Sequence, residues 1–187
     1  MNANDGLHAS IAASLVVAGL SFSTTVNKTP EGNVARTFRL AYKLRGHDCV
    51  VTGYSLGVML TAIAAVRVAC PPDRLTSKRH ELQDFLLEKV PMVRLSSHPY
   101  ADPPGDEDVI WVEVSLPVPP GGVPIEPWLA VTPFAAVAGA VDLLAITFAD
   151  VTPTIAKSFP LLVAERSERE PANVSPPTEP PDAGETA

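Results

Sequence analysis

The chain has 187 residues, of which 46% are hydrophobic and 19% charged, a balance typical of one globular domain. Its formal net charge of −7 gives no field that would attract phosphate backbones, so we expect no nucleic-acid partner. The two cysteines and four histidines show no zinc-type spacing, so we expect no metal, no cofactor and no disulfide framework.

The first apolar segment spans residues 11–20. The eight residues before Ala9 include Asp5 and contain no Lys or Arg, so the cationic start of a secretory signal is missing. We therefore expect a buried element here and favour the cytoplasm as the compartment.

The clearest predicted unit covers residues 33–70. Apolar residues in 33–46 recur at helical spacing, 49–52 are a short β-prone run, 53–57 are rich in small residues, and 58–69 are rich in helix formers. A strand without alternation is expected to be buried on both faces of a parallel sheet. The fold class is therefore predicted to be α/β, with a small, mostly parallel sheet and helices on both faces.

Further elements follow along the chain. An amphipathic helix is predicted at 78–89, a short strand at 92–95, an antiparallel or edge strand at 109–116, and a helix near 134–148. The stretch from Trp128 to Phe148 has the length of a membrane span but contains Asp142, so we expect a buried helix instead.

The composition changes at residue 165. The segment 165–187 is acidic and Pro-rich and has no aromatic residue, Leu or Ile, which predicts a disordered tail. We therefore expect a single globular domain over residues 1–164, followed by this tail.

One motif in the predicted unit, at residues 53–57, indicates nucleophilic catalysis by a serine. Residues 53–57 fit the pattern G-x-S-x-G, in which a sharp turn between a strand and a helix presents a nucleophilic serine. Ser55 would be the nucleophile. The amide of Leu56, at the start of the following helix, would help to hold an oxyanion.

These residues also resemble a known family. The sequence from Val50 to Gly57, followed by an alanine-rich helix, looks like the elbow of the class-three lipases, and its Gly-Tyr-Ser segment is similar to cutinases. Both are α/β-hydrolases that cleave acyl esters. The resemblance covers about residues 33–70 and implies a serine hydrolase acting on a small acyl substrate.

A serine hydrolase of this fold needs an acid and then a histidine after the serine in the chain. His98 is the candidate base, and Asp84 or an acid from the loop 102–108 would orient it. His80 is a weaker candidate, because its helical neighbours indicate a solvated face. His8 and His47 precede the serine and break the usual order.

A second function from a different class is equally open. The chain would then be a non-catalytic structural or adaptor subunit of a larger assembly. Its apolar C-terminal third and Pro-rich tail would contact a protein partner, with self-association included. Labelling of Ser55 by a fluorophosphonate probe would separate the two functions.

Overall fold

A computed structural model describes residues 3–28, 34–56, 59–96, 108–118 and 126–155. Within these residues the chain forms three α-helices, a short 3-10 helix and one antiparallel sheet of seven strands. In chain order the elements are α1 (Ala3–Val17), β1 (Ser23–Lys28), β2 (Val34–Leu44), β3 (His47–Leu56), β4 (Met59–Val68), the 3-10 helix (Pro72–Arg74), α2 (Leu75–Lys89), β5 (Arg94–Ser96), β6 (Val109–Pro117), α3 (Pro127–Thr147) and β7 (Val151–Thr154).

The strands lie in the order β1-β2-β3-β4-β6-β5, and β7 pairs with β4. β4 changes neighbours along its length. Its first half, up to Ile63, pairs with β3, while its last four residues, from Ala65 to Val68, pair with β7. β3 and β7 therefore share one side of β4, and β6 occupies the other.

The predicted α/β fold with a mostly parallel sheet is wrong, because every strand pair in the described residues is antiparallel. The error comes from two predicted helices, at 33–46 and 58–69, which are the strands β2 and β4. Without these two helices, β2, β3 and β4 follow one another as neighbouring antiparallel strands, which need no helical crossover between them.

β2 was mistaken for a helix because its apolar residues fit two periods. Val34 and Phe38 are four residues apart, which is close to one helical turn and is also two repeats of a strand. In the structure Phe38 and Leu40 are buried, whereas Arg39 between them is exposed. This alternation of period two is the pattern of a strand with one covered face.

The connection from β2 to β3 is a two-residue hairpin turn. Arg45 and Gly46 both have positive φ, 49° and 84°, and Leu44 pairs with His47 across them. Two successive residues with positive φ form the type I′ turn that suits the twist of antiparallel strands. Gly46 thus turns a hairpin and does not end a helix.

β4 lacks alternation because both of its faces are covered. Leu60 and Val66 belong to the main core, while Ile63 and Ala65 belong to a smaller cluster on the opposite face with Trp111. Such a strand is a continuous apolar run, and its alanines gave it the composition of a helix. Tertiary pairing overrides that helix propensity here.

Other predicted elements are confirmed. The helix at 78–89 is part of α2, the strand at 109–116 is the antiparallel β6, and the helix near 134–148 lies mostly within α3. The short strand expected at 92–95 is β5, shifted to Arg94–Ser96. The expected buried element near the N-terminus is α1, and the predicted tail lies outside the described residues.

The main core lies between one face of the sheet and the helices α1 and α3. α1 contributes Leu7, Ile11 and Leu15, which recur at helical spacing. α3 is long and apolar enough to cross a membrane, but one side of it is packed on the sheet. Its buried residues are Ala130, Pro133, Phe134, Val137, Ala140, Val141 and Leu144.

Candidate functional site

Ser55 lies inside β3 and is not at a bend. It pairs with Leu60 of β4, and the strand continues to Leu56, which pairs with Met59. Because successive residues of a strand point to opposite faces, Ser55 shares the helix-bearing face with Gly53, and Tyr54 points the other way. The predicted nucleophile elbow is therefore wrong, since residues 59–68 are a strand and offer Leu56 no helix N-terminus.

The side chain of Ser55 contacts His8, which does not fit the chain order expected of a hydrolase triad. The Oγ atom of Ser55 lies 2.5 Å from Nε2 of His8 in α1. Both side chains are covered, with 5% of Ser55 and 3% of His8 exposed. The ring of Phe38 lies beside His8, with 6.3 Å between the ring centroids.

His8 could have been found from helical periodicity. It lies one residue after Leu7 and three before Ile11, so it falls on the face of α1 that packs on the sheet. The expected chain order of a hydrolase triad removed it from consideration, because it precedes the serine by 47 residues. That order applies to the α/β-hydrolase fold, which this sheet does not have.

The Ser55–His8 pair is close enough for proton transfer, as a nucleophile and its base must be. In this conformation, however, protein atoms cover the hydroxyl, so a substrate carbonyl has no access to it. The other predicted triad members are Asp84 and His98. Asp84 is exposed on α2, and His98 lies outside the described residues. The observed role of the pair is to join α1 to the centre of the sheet.

Neither a metal-binding cluster nor a disulfide lies in the part of the chain that the structure describes. No group of three or more His, Cys, Asp or Glu side chains could hold an ion there. Residues 102–107 of the acidic loop are outside it, and Asp108 forms an ion pair with Arg67 at 2.9 Å. Cys49 is free and buried, and burial raises the pKa of its thiol.

α3 carries an apolar surface on the side away from the sheet. Trp128, Ala135, Gly139 and Ile146 are exposed, at spacings of seven, four and seven residues, and we call these four residues the outer stripe. Trp128 is 65% exposed and Ile146 51%. A helix at the surface of a protein normally carries charged residues on this side. In α3 the single ionisable residue is Asp142, which is half-buried.

A cavity of about 320 Å³ lies beside the first half of α3. The sheet contributes one side of it, α3 a second, and the segment that follows α1 a third. Its lining is mostly apolar, and no Lys, Arg, Asp or Glu belongs to it. The lining residues are Ala18, Gly19, Leu20, Ser21, Leu40, Ala41, Tyr42, Val51, Val131, Phe134, Ala135 and Ala138.

The cavity and the outer stripe are adjacent, because Ala135 belongs to both. Val131 and Ala138, which line the cavity, are three residues from Trp128 and Ala135 respectively. In a helix, residues three apart are neighbours on the surface. The first half of α3 thus carries a projecting indole next to an apolar depression.

Compared with known proteins, the chain matches no protein-family model, no curated protein and no solved structure.

Proposed function

We propose that this protein is a non-catalytic, self-associating subunit of a larger assembly, and that the outer stripe of α3 is its contact surface. One observation supports this most strongly. α3 is apolar around most of its circumference, yet the sheet and α1 leave the outer stripe exposed. A helix of this composition is normally enclosed on all sides.

The energetic argument concerns the exposed side. Removing apolar surface from water stabilises by about 25 cal/mol per Å², so a large exposed indole favours a covered state. Monomeric soluble proteins seldom leave large contiguous apolar patches open. Trp128 and Ile146 lie at the two ends of the stripe, and the small residues Ala135 and Gly139 between them let another chain approach closely.

Charge allows a second copy to bind through the outer stripe and disfavours its binding elsewhere. The chain has a net charge of −7, so two copies repel each other over most of their surface. The outer stripe contains no charged residue, and Asp142, which borders it three residues after Gly139, is half-buried, so copies that meet there avoid most contact between like charges. The exposed Val16 and Val17 near the end of α1 directly precede the cavity lining and extend the apolar surface.

Sedimentation of charge variants tests this function. Gly139→Arg places a cation in the middle of the outer stripe, where an added Cβ meets no atom within 4 Å, so the fold should tolerate it. Ser77→Arg adds the same charge at an exposed position of α2 and is the matched control. Circular dichroism should show that both variants are folded.

We expect the wild type and Ser77→Arg to sediment as oligomers and Gly139→Arg to sediment as the 19.8 kDa monomer. A wild type that remains monomeric at high concentration would contradict the proposal. An oligomer that Gly139→Arg leaves unchanged would contradict it too. Binding of the monomer to neutral lipid vesicles, lost in Gly139→Arg, would instead assign the stripe to a membrane surface.

A further inference from the structure

We propose that Trp128 of one copy fills the cavity beside α3 of a second copy, and that the second copy returns the same contact. This inference rests on the proposed function, because it names the residue and the site through which the copies join. The occupant of the cavity is then the indole of an identical chain.

The size of the cavity fits an indole. An apolar cavity of about 150 Å³ accommodates benzene, which has six heavy atoms. Scaled to the nine heavy atoms of indole, the same packing needs roughly 225 Å³. The cavity offers about 320 Å³, which holds the ring together with part of its Cβ stem.

The chemistry of the lining also fits. Leu20, Val131 and Ala138 offer partly exposed aliphatic surface, and Tyr42 offers a partly exposed aromatic ring with which an indole can pack edge to face. Trp is among the residues that most often anchor protein interfaces by filling such pockets. The lining has no charged residue that could pair with an ionic ligand, so it favours an apolar ligand.

The arrangement along α3 allows both contacts to form at once. The lining residues of α3 extend from Val131 to Ala138, so their centre lies about 10 Å along the helix from Trp128. A two-fold axis close to Val131, with the two α3 helices antiparallel, brings each indole opposite the cavity of the other copy. Such an isologous contact closes on itself and gives a dimer, not a filament.

The area of the contact explains why the indole is needed. With the axis at Val131 the two α3 helices overlap over residues 127–135, a length of about 13 Å, so a stripe about 10 Å wide buries about 270 Å² over two copies. Specific interfaces bury about 1,200–2,000 Å². A Trp buries about 150–250 Å², so two inserted indoles add about 300–500 Å² and supply more than half of a contact that has the size of a weak interface.

Complementary variants test the inference. Trp128→Ala removes the indole and keeps the cavity, whereas Ala138→Phe fills the cavity and keeps the indole. We expect each variant alone to dimerise at least about tenfold more weakly than the wild type. Mixed in equal amounts they should form a heterodimer with one intact contact. Its dissociation constant should lie near the geometric mean of the wild-type and Trp128→Ala values, since separate contacts add.

Ile146→Ala is the matched control, because Ile146 is an exposed apolar residue of the same stripe far along α3 from the cavity. It should change the dissociation constant much less than Trp128→Ala. The Trp111→Phe protein keeps Trp128 as its one indole, since the chain has two tryptophans. Its fluorescence emission should shift to shorter wavelength as the concentration rises.

The possible failures are distinguishable. If Trp128→Ala associates like the wild type while Gly139→Arg is monomeric, the outer stripe is the contact surface and the indole insertion is wrong. A mixture that associates no better than its separate components also overturns the insertion. If Gly139→Arg associates like the wild type, or the wild type is monomeric, both proposals are wrong.

Discussion

The ring of Phe134 in α3 lies directly against the backbone of Gly53 in β3, in the space that a Cβ atom at residue 53 would occupy. The first glycine of the G-x-S-x-G segment is therefore required for packing of the main helix on the sheet. Phe134 is 2% exposed and belongs to the main core, so its ring is held by packing contacts.

Gly53→Ala should lower the free energy of unfolding by about 1–3 kcal/mol, because an added methyl overpacks the core. Phe134→Leu in the same chain should recover part of this loss, since the smaller side chain leaves room. Urea unfolding of the two single variants and the double variant measures the coupling.

Gly139→Ala is the control for the glycine change itself. Its Cβ meets no atom within 4 Å, and Ala is the better helix former, so stability should rise by about 0.5–1 kcal/mol. A Gly53→Ala protein as stable as the wild type would contradict the close approach of Phe134.

The Ser55–His8 contact predicts a stability effect without a labelling effect. Ser55→Ala leaves the Nε2 atom of a buried His8 without this hydrogen bond and should lower the free energy of unfolding by about 1–3 kcal/mol. Native wild-type protein should not react with a fluorophosphonate, because the Ser55 hydroxyl is covered.

Ser77→Ala, at an exposed position of α2, provides a comparison and should cost less stability. Rapid labelling of the wild type that Ser55→Ala abolishes would favour the serine hydrolase. It would also require α1 to leave the sheet, since the bond to His8 covers the nucleophile.

The two thiols should react at very different rates. Cys49 is 3% exposed, and burial raises the pKa of its thiol, so little of the reactive thiolate is present or accessible near neutral pH. Cys70 is partly exposed. We expect Ellman's reagent to modify Cys70 in the native protein and Cys49 only after unfolding. Equal rates for the two thiols would show that the first residues of β3, which include Cys49, are accessible to solvent.

Tyr42 makes stability depend on alkaline pH. Burial, followed by the nearby Cys49, raises the pKa of its phenol above the ordinary value of 10.0. The folded state thus favours the neutral phenol. This contribution to stability is complete below about pH 10 and is lost as the pH rises above it, because the unfolded chain ionises first.

Urea unfolding between pH 8 and pH 11 checks this dependence. Tyr42→Phe should reduce the fall in stability above pH 10 relative to the wild type. The pKa of Tyr54 is also raised by burial, so a part of the fall should remain in the variant. A wild type whose stability is constant over this range would contradict the burial of both phenols.

The sequence predicted best the elements whose residues satisfy one period. The apolar residues of α2 fit only the helical period, and those of β6 fit only the period of a strand. The predicted bounds of both elements are close to those in the structure. β2 satisfied two periods at once, and β4 none, because its two faces are both covered. Local sequence cannot decide such strands, since their neighbours in the sheet decide them.

The site could be predicted only in part for the same reason. The sequence pairs Ser55 with His98, whereas the histidine that Ser55 contacts in the structure is His8, and this contact depends on α1 lying over β3. The apolar C-terminal third was recognised from composition. Which side of α3 remains exposed depends on the sheet beneath it, and so the outer stripe could not be identified beforehand.

The pairing of β7 with β4 sets an order for events on the ribosome. The first half of β4 can pair with β3 once residues 47–63 have been synthesised. Its last four residues can pair with β7 only after residues 151–154 have been synthesised. During that interval the unpaired half is an open strand edge in a nascent chain that already exposes much of its core. Truncation anywhere before residue 151 would make this transient edge permanent, and we expect such fragments to aggregate.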